Sequence, residues 1–130
     1  LANNELYRND LAVTLNGSTA RLENNTIWQS SGHAIHLSTA ASGGSLINNI
    51  FRVDNGNVYH APQSATITAS DYNHYFITGT GNIANFAGQV YANPIAWYHT
   101  TGFDKNSFSG DPLFVDLDGA DNQLGFDRTN

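Results

Sequence analysis

Apolar and polar positions recur along this chain with a period in the low twenties. Leu1-x-x-Asn4-x-Leu6 returns as Leu22-x-x-Asn25-x-Ile27, as Leu46-x-x-Asn49-x-Phe51 and, more weakly, as Ser70-x-x-Asn73-x-Tyr75, so the Asn positions are 21, 24 and 24 residues apart. That period is too short for a helical-hairpin repeat and fits one turn of a β-solenoid, in which each coil supplies about three short strands. Leucine-rich repeats share the period, but their Leu-x-x-Leu-x-Leu pattern is missing. Between the anchors the residues alternate as half-buried strands do: Leu11, Val13 and Leu15 around Ala12 and Thr14, and Ile35 and Leu37 flanking His36.

Coils stacked at about 4.8 Å place equivalent residues above one another. Leu6, Ile27, Phe51 and Tyr75 then form one buried column, and Leu1, Leu22 and Leu46 a second. Asn4, Asn25, Asn49 and Asn73 form an Asn ladder at a bend, with amides bonded from coil to coil. A single Asn pair reads as a surface turn, whereas four in register with matching apolar neighbours do not. The expected fold is all-β: a right-handed parallel β-helix of about four to five coils over 1–92, with an irregular C-terminal segment over 93–130. Within that segment Asn93 to Thr101 can form one short helix or turn, with Pro94 at its first position.

Composition narrows the partners. Hydrophobic residues are 40% and charged residues 12% of the 130, and cysteine is absent, so neither disulfides nor thiolate metal sites exist. Five Lys and Arg against eleven Asp and Glu give a net charge of −6, which repels nucleic acid and anionic lipid surfaces. No apolar run nears the roughly 18 residues of a membrane span, so no membrane insertion is expected.

From Asp71 the chain reads Asp71-Tyr72-Asn73-His74-Tyr75-Phe76, then Trp97, Thr101-Gly102-Phe103-Asp104, Asn106-Ser107 and Gly110-Asp111-Pro112-Leu113-Phe114-Val115-Asp116. This resembles the end of the pectate-lyase-like family of right-handed parallel β-helix proteins. The resemblance spans nearly the whole chain and is specific for fold rather than activity. It implies the last coils of a larger secreted or cell-surface bacterial protein. Family members often continue into a further strand and closing motif that are missing before Asn130, which predicts a fragment with an uncapped last coil. Such an end offers unpaired strand edges and hence end-to-end self-association.

Several residues carry candidate chemistry. Three positions after each ladder Asn stand Tyr7, Trp28, Arg52 and Phe76, an outward aromatic and cationic strip. Such a strip stacks on sugar rings, or is covered by a loop or neighbouring domain. Asp116, Asp118 and Asp121 surround Gly119 with hard oxygen ligands suited to calcium, although not in EF-hand order, and a solvated Asp-Gly turn accounts for them equally. His36 and His60 each follow a glycine by four residues. They align on adjacent coils unless Ile35 pairs with Val58, which would set His36 against Tyr59. Such a pair titrates near neutral pH or contributes to a transition-metal site, and a plain polar column explains it as well.

Lyase chemistry needs a base and a cation converging on a sugar carboxylate. The cations are Arg8, Arg21, Arg52, Lys105 and Arg128, and no two of the strong coils stack a basic residue at one position. Asp10, Glu23 and Asp54 fall at non-equivalent positions, unlike the paired carboxylates of hydrolases. The expectation is therefore a non-catalytic structural or adhesive module that contacts a polysaccharide or a neighbouring protein domain. Membership in a polysaccharide lyase or glycoside hydrolase is the alternative.

Overall fold

In the computed structural model, which describes residues 1–16, 19–38, 43–61 and 66–116, the corners of the coils form where the repeated Asn pairs stand. Asn3, Asn24, Asn48 and Tyr72 have φ of 57°, 55°, 56° and 56°, the left-handed region that Asn tolerates better than most residues. Each is followed by a ladder Asn and then a strand.

Thirteen strands and one helix occur among the described residues: β1 (Glu5–Tyr7), β2 (Leu11–Leu15), β3 (Ala20–Glu23), β4 (Thr26–Gln29), β5 (His33–Leu37), β6 (Gly44–Ile47), β7 (Ile50–Val53), β8 (Asn57–Ala61), β9 (Ala69–Asp71), β10 (His74–Ile77), β11 (Asn82–Phe86), β12 (Gln89–Tyr91), α1 (Pro94–Thr101) and β13 (Phe108–Ser109). They make three sheets, in the orders β1-β4-β7-β10-β13, β12-β11-β8-β5-β2 and β3-β6-β9. All pairings are parallel except β11 with β12. The fold is a parallel β-solenoid of about three turns, fewer than the four to five expected. Three coils are complete, β3–β5, β6–β8 and β9–β11. Asn4 belongs to an incomplete first coil, and β12 and β13 add edges without completing another.

The first apolar column forms as expected. Leu6 pairs with Ile27, Ile27 with Phe51 and Phe51 with Tyr75, and the last three are fully buried. The Phe51 and Tyr75 rings stack 5.8 Å apart, with Tyr59 edge-on to both. In the second column Leu22 pairs with Leu46 and Leu46 with Ser70. Leu1 departs from expectation: it is 53% exposed, because no coil among the described residues covers that end.

The ladder is continuous. Asn4 Nδ2 donates to Asn25 Oδ1 at 3.1 Å, Asn25 Nδ2 to Asn49 Oδ1 at 3.0 Å and Asn49 Nδ2 to Asn73 Oδ1 at 3.2 Å. Each Oδ1 also accepts the backbone N–H of the preceding ladder Asn, supplying the partner that a left-handed corner denies it. Because Asn49 is buried and Asn4 is partly solvated, Asn49→Ala should cost about 2–4 kcal/mol through orphaned buried groups, against less than about 1 kcal/mol for Asn4→Ala. Urea unfolding of the two variants measures the difference, and equal losses would rule out the ladder as the source.

Beyond the last complete coil the chain folds back on the core. Ala87 and Gly88, with φ of 51° and 81°, turn β11 back into β12, a tight hairpin that favours positive φ. Asn93 caps α1 by accepting from the Ala96 N–H at 2.9 Å, Pro94 opens it, and Gly102 (φ 76°) ends it. The helix brings Trp97, fully buried, against Tyr59, Phe86, Tyr91 and Phe103. The ladder terminates here too: the Asn73 N–H donates to Ser107 Oγ at 2.8 Å and its Nδ2 to Asp104 Oδ1 at 3.0 Å. Where the sequence predicts an uncapped last coil, the irregular segment folds back over the core, while β13 remains the edge of its sheet among the described residues.

Candidate binding strip

Coil stacking places the four strip residues in one row. Tyr7 is in register with Trp28, Trp28 with Arg52 and Arg52 with Phe76, each adjacent to a member of the inward column. The row is internally packed. The Arg52 guanidinium carbon lies 4.2 Å from the Trp28 ring centroid and 5.4 Å from that of Phe76, and Arg8 adds a second cation 4.9 Å from Trp28. Tyr7 meets Trp28 edge-on at 6.4 Å. Covered in this way, Trp28 is only 8% exposed, so Tyr7, Phe76 and the two guanidinium groups present more of the row to a partner than the indole does.

Asp54, just beyond β7, holds the row in place. It accepts from Trp28 Nε1 at 3.1 Å, Arg52 Nε at 3.2 Å and Thr78 Oγ1 at 2.7 Å. Burial alone would raise its carboxyl pKa, but the bonds from Trp28, Thr78 and Arg52 and the charge of Arg52 outweigh this and keep it below the usual value. Tyr7 is pushed up to about 12 by burial, with hydrogen bonding to Glu5 and its charge acting in the same direction, so it is a neutral phenol at physiological pH. Cation–π contacts of this kind contribute about 0.5–2 kcal/mol each, enough to fix rotamers in advance of binding.

Sequence reasoning missed Arg8 and Asp54 as partners of the row. Arg8 sits at a left-handed corner (φ 49°), so its alignment with Trp28 has no counterpart in the repeat. Asp54 lies two positions beyond Arg52, where alternation in a strand returns a side chain to the same face, and that signal was available.

The histidine register is the first of the two expected: Ile35 pairs with Tyr59 and His36 with His60. Of the calcium candidates Asp116, Asp118 and Asp121, the last two lie outside the described residues. Among the described residues no three His, Asp or Glu side chains are grouped to hold a metal ion, and no helix is long and apolar enough to cross a membrane. An open cleft of about 250 Å³ beside α1, lined by residues including Tyr98, His99 and Lys105, shares no residue with the row.

Compared with known proteins, the chain matches no family model, no curated protein and no solved structure.

Proposed function

We propose that this chain is a rigid, non-catalytic solenoid module, structural or adhesive, whose Tyr7–Trp28–Arg52–Phe76 row contacts a glycan or a neighbouring protein surface. The observation that carries this reading is the in-register row itself, braced by Asp54 and flanked by Arg8. Pre-ordered aromatic and guanidinium groups lose little rotamer freedom on binding, and they suit a partner with flat apolar ring faces and carboxylate or hydroxyl groups. The acidic balance of the whole chain makes this row a local exception. A place in a pectate-lyase-like bacterial surface protein belongs to the same proposal and rests on the C-terminal motif resemblance alone.

Titration with acidic and neutral oligosaccharides by calorimetry or NMR tests the reading. Weak binding is expected, reduced at least fivefold by Arg8→Ala or Phe76→Ala, with neither unsaturated uronide nor new reducing ends released. Trp28→Ala is a poor probe because the indole is buried and its loss would disturb the fold. No shift at any of the row residues with a broad oligosaccharide panel would remove the glycan reading. Turnover of a polysaccharide would favour the enzyme alternative.

A further inference from the structure

Three imidazoles meet where β5 and β8 stack, and only two of them belong to the aligned pair. His36 Nδ1 and His60 Nδ1 are 3.0 Å apart, and the His33 ring lies face to face with that of His60, centroids 4.1 Å apart and planes within 6°. His36 and His60 are also stacked, at 5.1 Å and 20°. His33 joins because Ala34 and Ile35 are both fully buried, leaving His33 and His36 half-buried on either side of them. Glycines hold the approach: a Cβ on Gly56 would sit 1.7 Å from the Gly32 carbonyl oxygen and one on Gly32 2.1 Å from that of Asp10, so the backbone corners before β2, β5 and β8 stack too closely for any side chain.

We propose that this cluster is a proton-operated latch: neutral imidazoles fasten the second complete coil to the first, and acidification releases that fastening. Two nitrogens 3.0 Å apart form a hydrogen bond only if one carries the proton and the other a lone pair, so protonating both rings sets two N–H groups against each other. A second cation in the His33–His60 stack adds like-charge repulsion in a partly desolvated place. His33 Nδ1 lies 3.2 Å from Asn57 Nδ2 and accepts from it when neutral, an interaction that protonation removes. The Asn57 Oδ1, buried and without a partner, is on the same amide, so a half-turn of that amide is the first adjustment open to the latch.

Among the described residues no carboxylate is paired with these rings, and Asp10 meets His33 through its backbone carbonyl. Opposite the cluster stand Leu11 and Thr14 on β2, Asn57 on β8 and Asn82 and Asn85 on β11. β4 carries no titratable side chain, and Arg52, the one charged residue of β7, is committed to Asp54. Burial first, then the neighbouring imidazoles, lowers the pKa of His33; burial, then His36, lowers that of His60. With folded values below the unfolded one, the unfolded chain binds more protons. The stability is therefore complete above about pH 6.5 and is lost as the pH falls through the depressed values.

The test is thermal unfolding of the full chain from pH 7.5 to 5, with hydrogen exchange on the same samples. A fall in Tm of roughly 5 °C is expected, with amide exchange in β5 and β8, corrected for its intrinsic pH dependence, at least tenfold faster while β3 and β6 hold. The double variant His36→Asn with His60→Asn should lose most of that pH dependence. A flat wild-type curve, an undiminished fall in the double variant, or uniform loosening of all sheets would overturn the proposal. Should the double variant not fold, imidazole titration of the wild type by NMR decides: depressed, mutually dependent midpoints for His33 and His60 support the latch, and independent titration near 6.5 defeats it.

Discussion

Phe51→Ala is expected to lower the free energy of unfolding by about 3–5 kcal/mol. Phe51 is fully buried in the middle complete coil, in register with Ile27 on one side and Tyr75 on the other, and it stacks on Tyr75 and meets Tyr59 edge-on. Ile27 and Tyr75 are fixed in the same sheet as Phe51 and Tyr59 in a second one, so they cannot collapse into the space without breaking strand pairing, and the cavity cost adds to the lost transfer energy. Phe51→Leu, which keeps most of the volume, should cost less than half as much. Chemical denaturation of the three proteins measures this, and a loss below about 1 kcal/mol for alanine would mean that the column contributes little.

Asp104→Ala should be comparably damaging, at about 3–5 kcal/mol, for a different reason. Asp104 is 4% exposed and accepts hydrogen bonds from Ser70 Oγ, Asn73 Nδ2, Trp97 Nε1 and Ser107 Oγ at 2.6–3.0 Å. Its backbone N–H donates to the Ser70 carbonyl at 2.7 Å. Removing the carboxylate takes away an acceptor shared by four donors where the last complete coil, the helix and the ladder meet. The loss should appear first as increased near-ultraviolet mobility of Trp97 and exposure of its indole to quencher, ahead of any change at Trp28. Equal changes at both tryptophans would show that the site does not act as a local closure.

The parts of this architecture that were legible beforehand are those the repeat writes more than once. A column appears in the text as the same residue class at the same offset, so the Leu6–Tyr75 column, the ladder and the strip register could be read from positions 21 to 24 apart. Features that occur once, or that depend on corners, could not. Asp104 and Ser107 end the ladder, but the interval from Asn73 to Ser107 is 34 residues, because β12 and α1 are inserted into what would have been the next coil. His33 reached the histidine cluster through two consecutive buried positions, which strict alternation does not anticipate. Leu1 carried the right pattern and is nevertheless exposed, since burial needs a neighbour on each side.

The ladder has a direction. Each Asn gives its backbone N–H and side-chain amide forward and offers its oxygen backward, until Ser107 and Asp104 receive the last pair. A chain emerging from the ribosome therefore holds, at every stage, one corner whose donors await an acceptor that has not yet been synthesised. Each earlier corner is satisfied when the next ladder Asn arrives, and the last, at Asn73, only when residues 104–107 do. Closure of the seam is thus tied to the end of this stretch, and a nascent chain that has passed Trp97 but not reached Asp104 would carry most of the core with an unfinished seam.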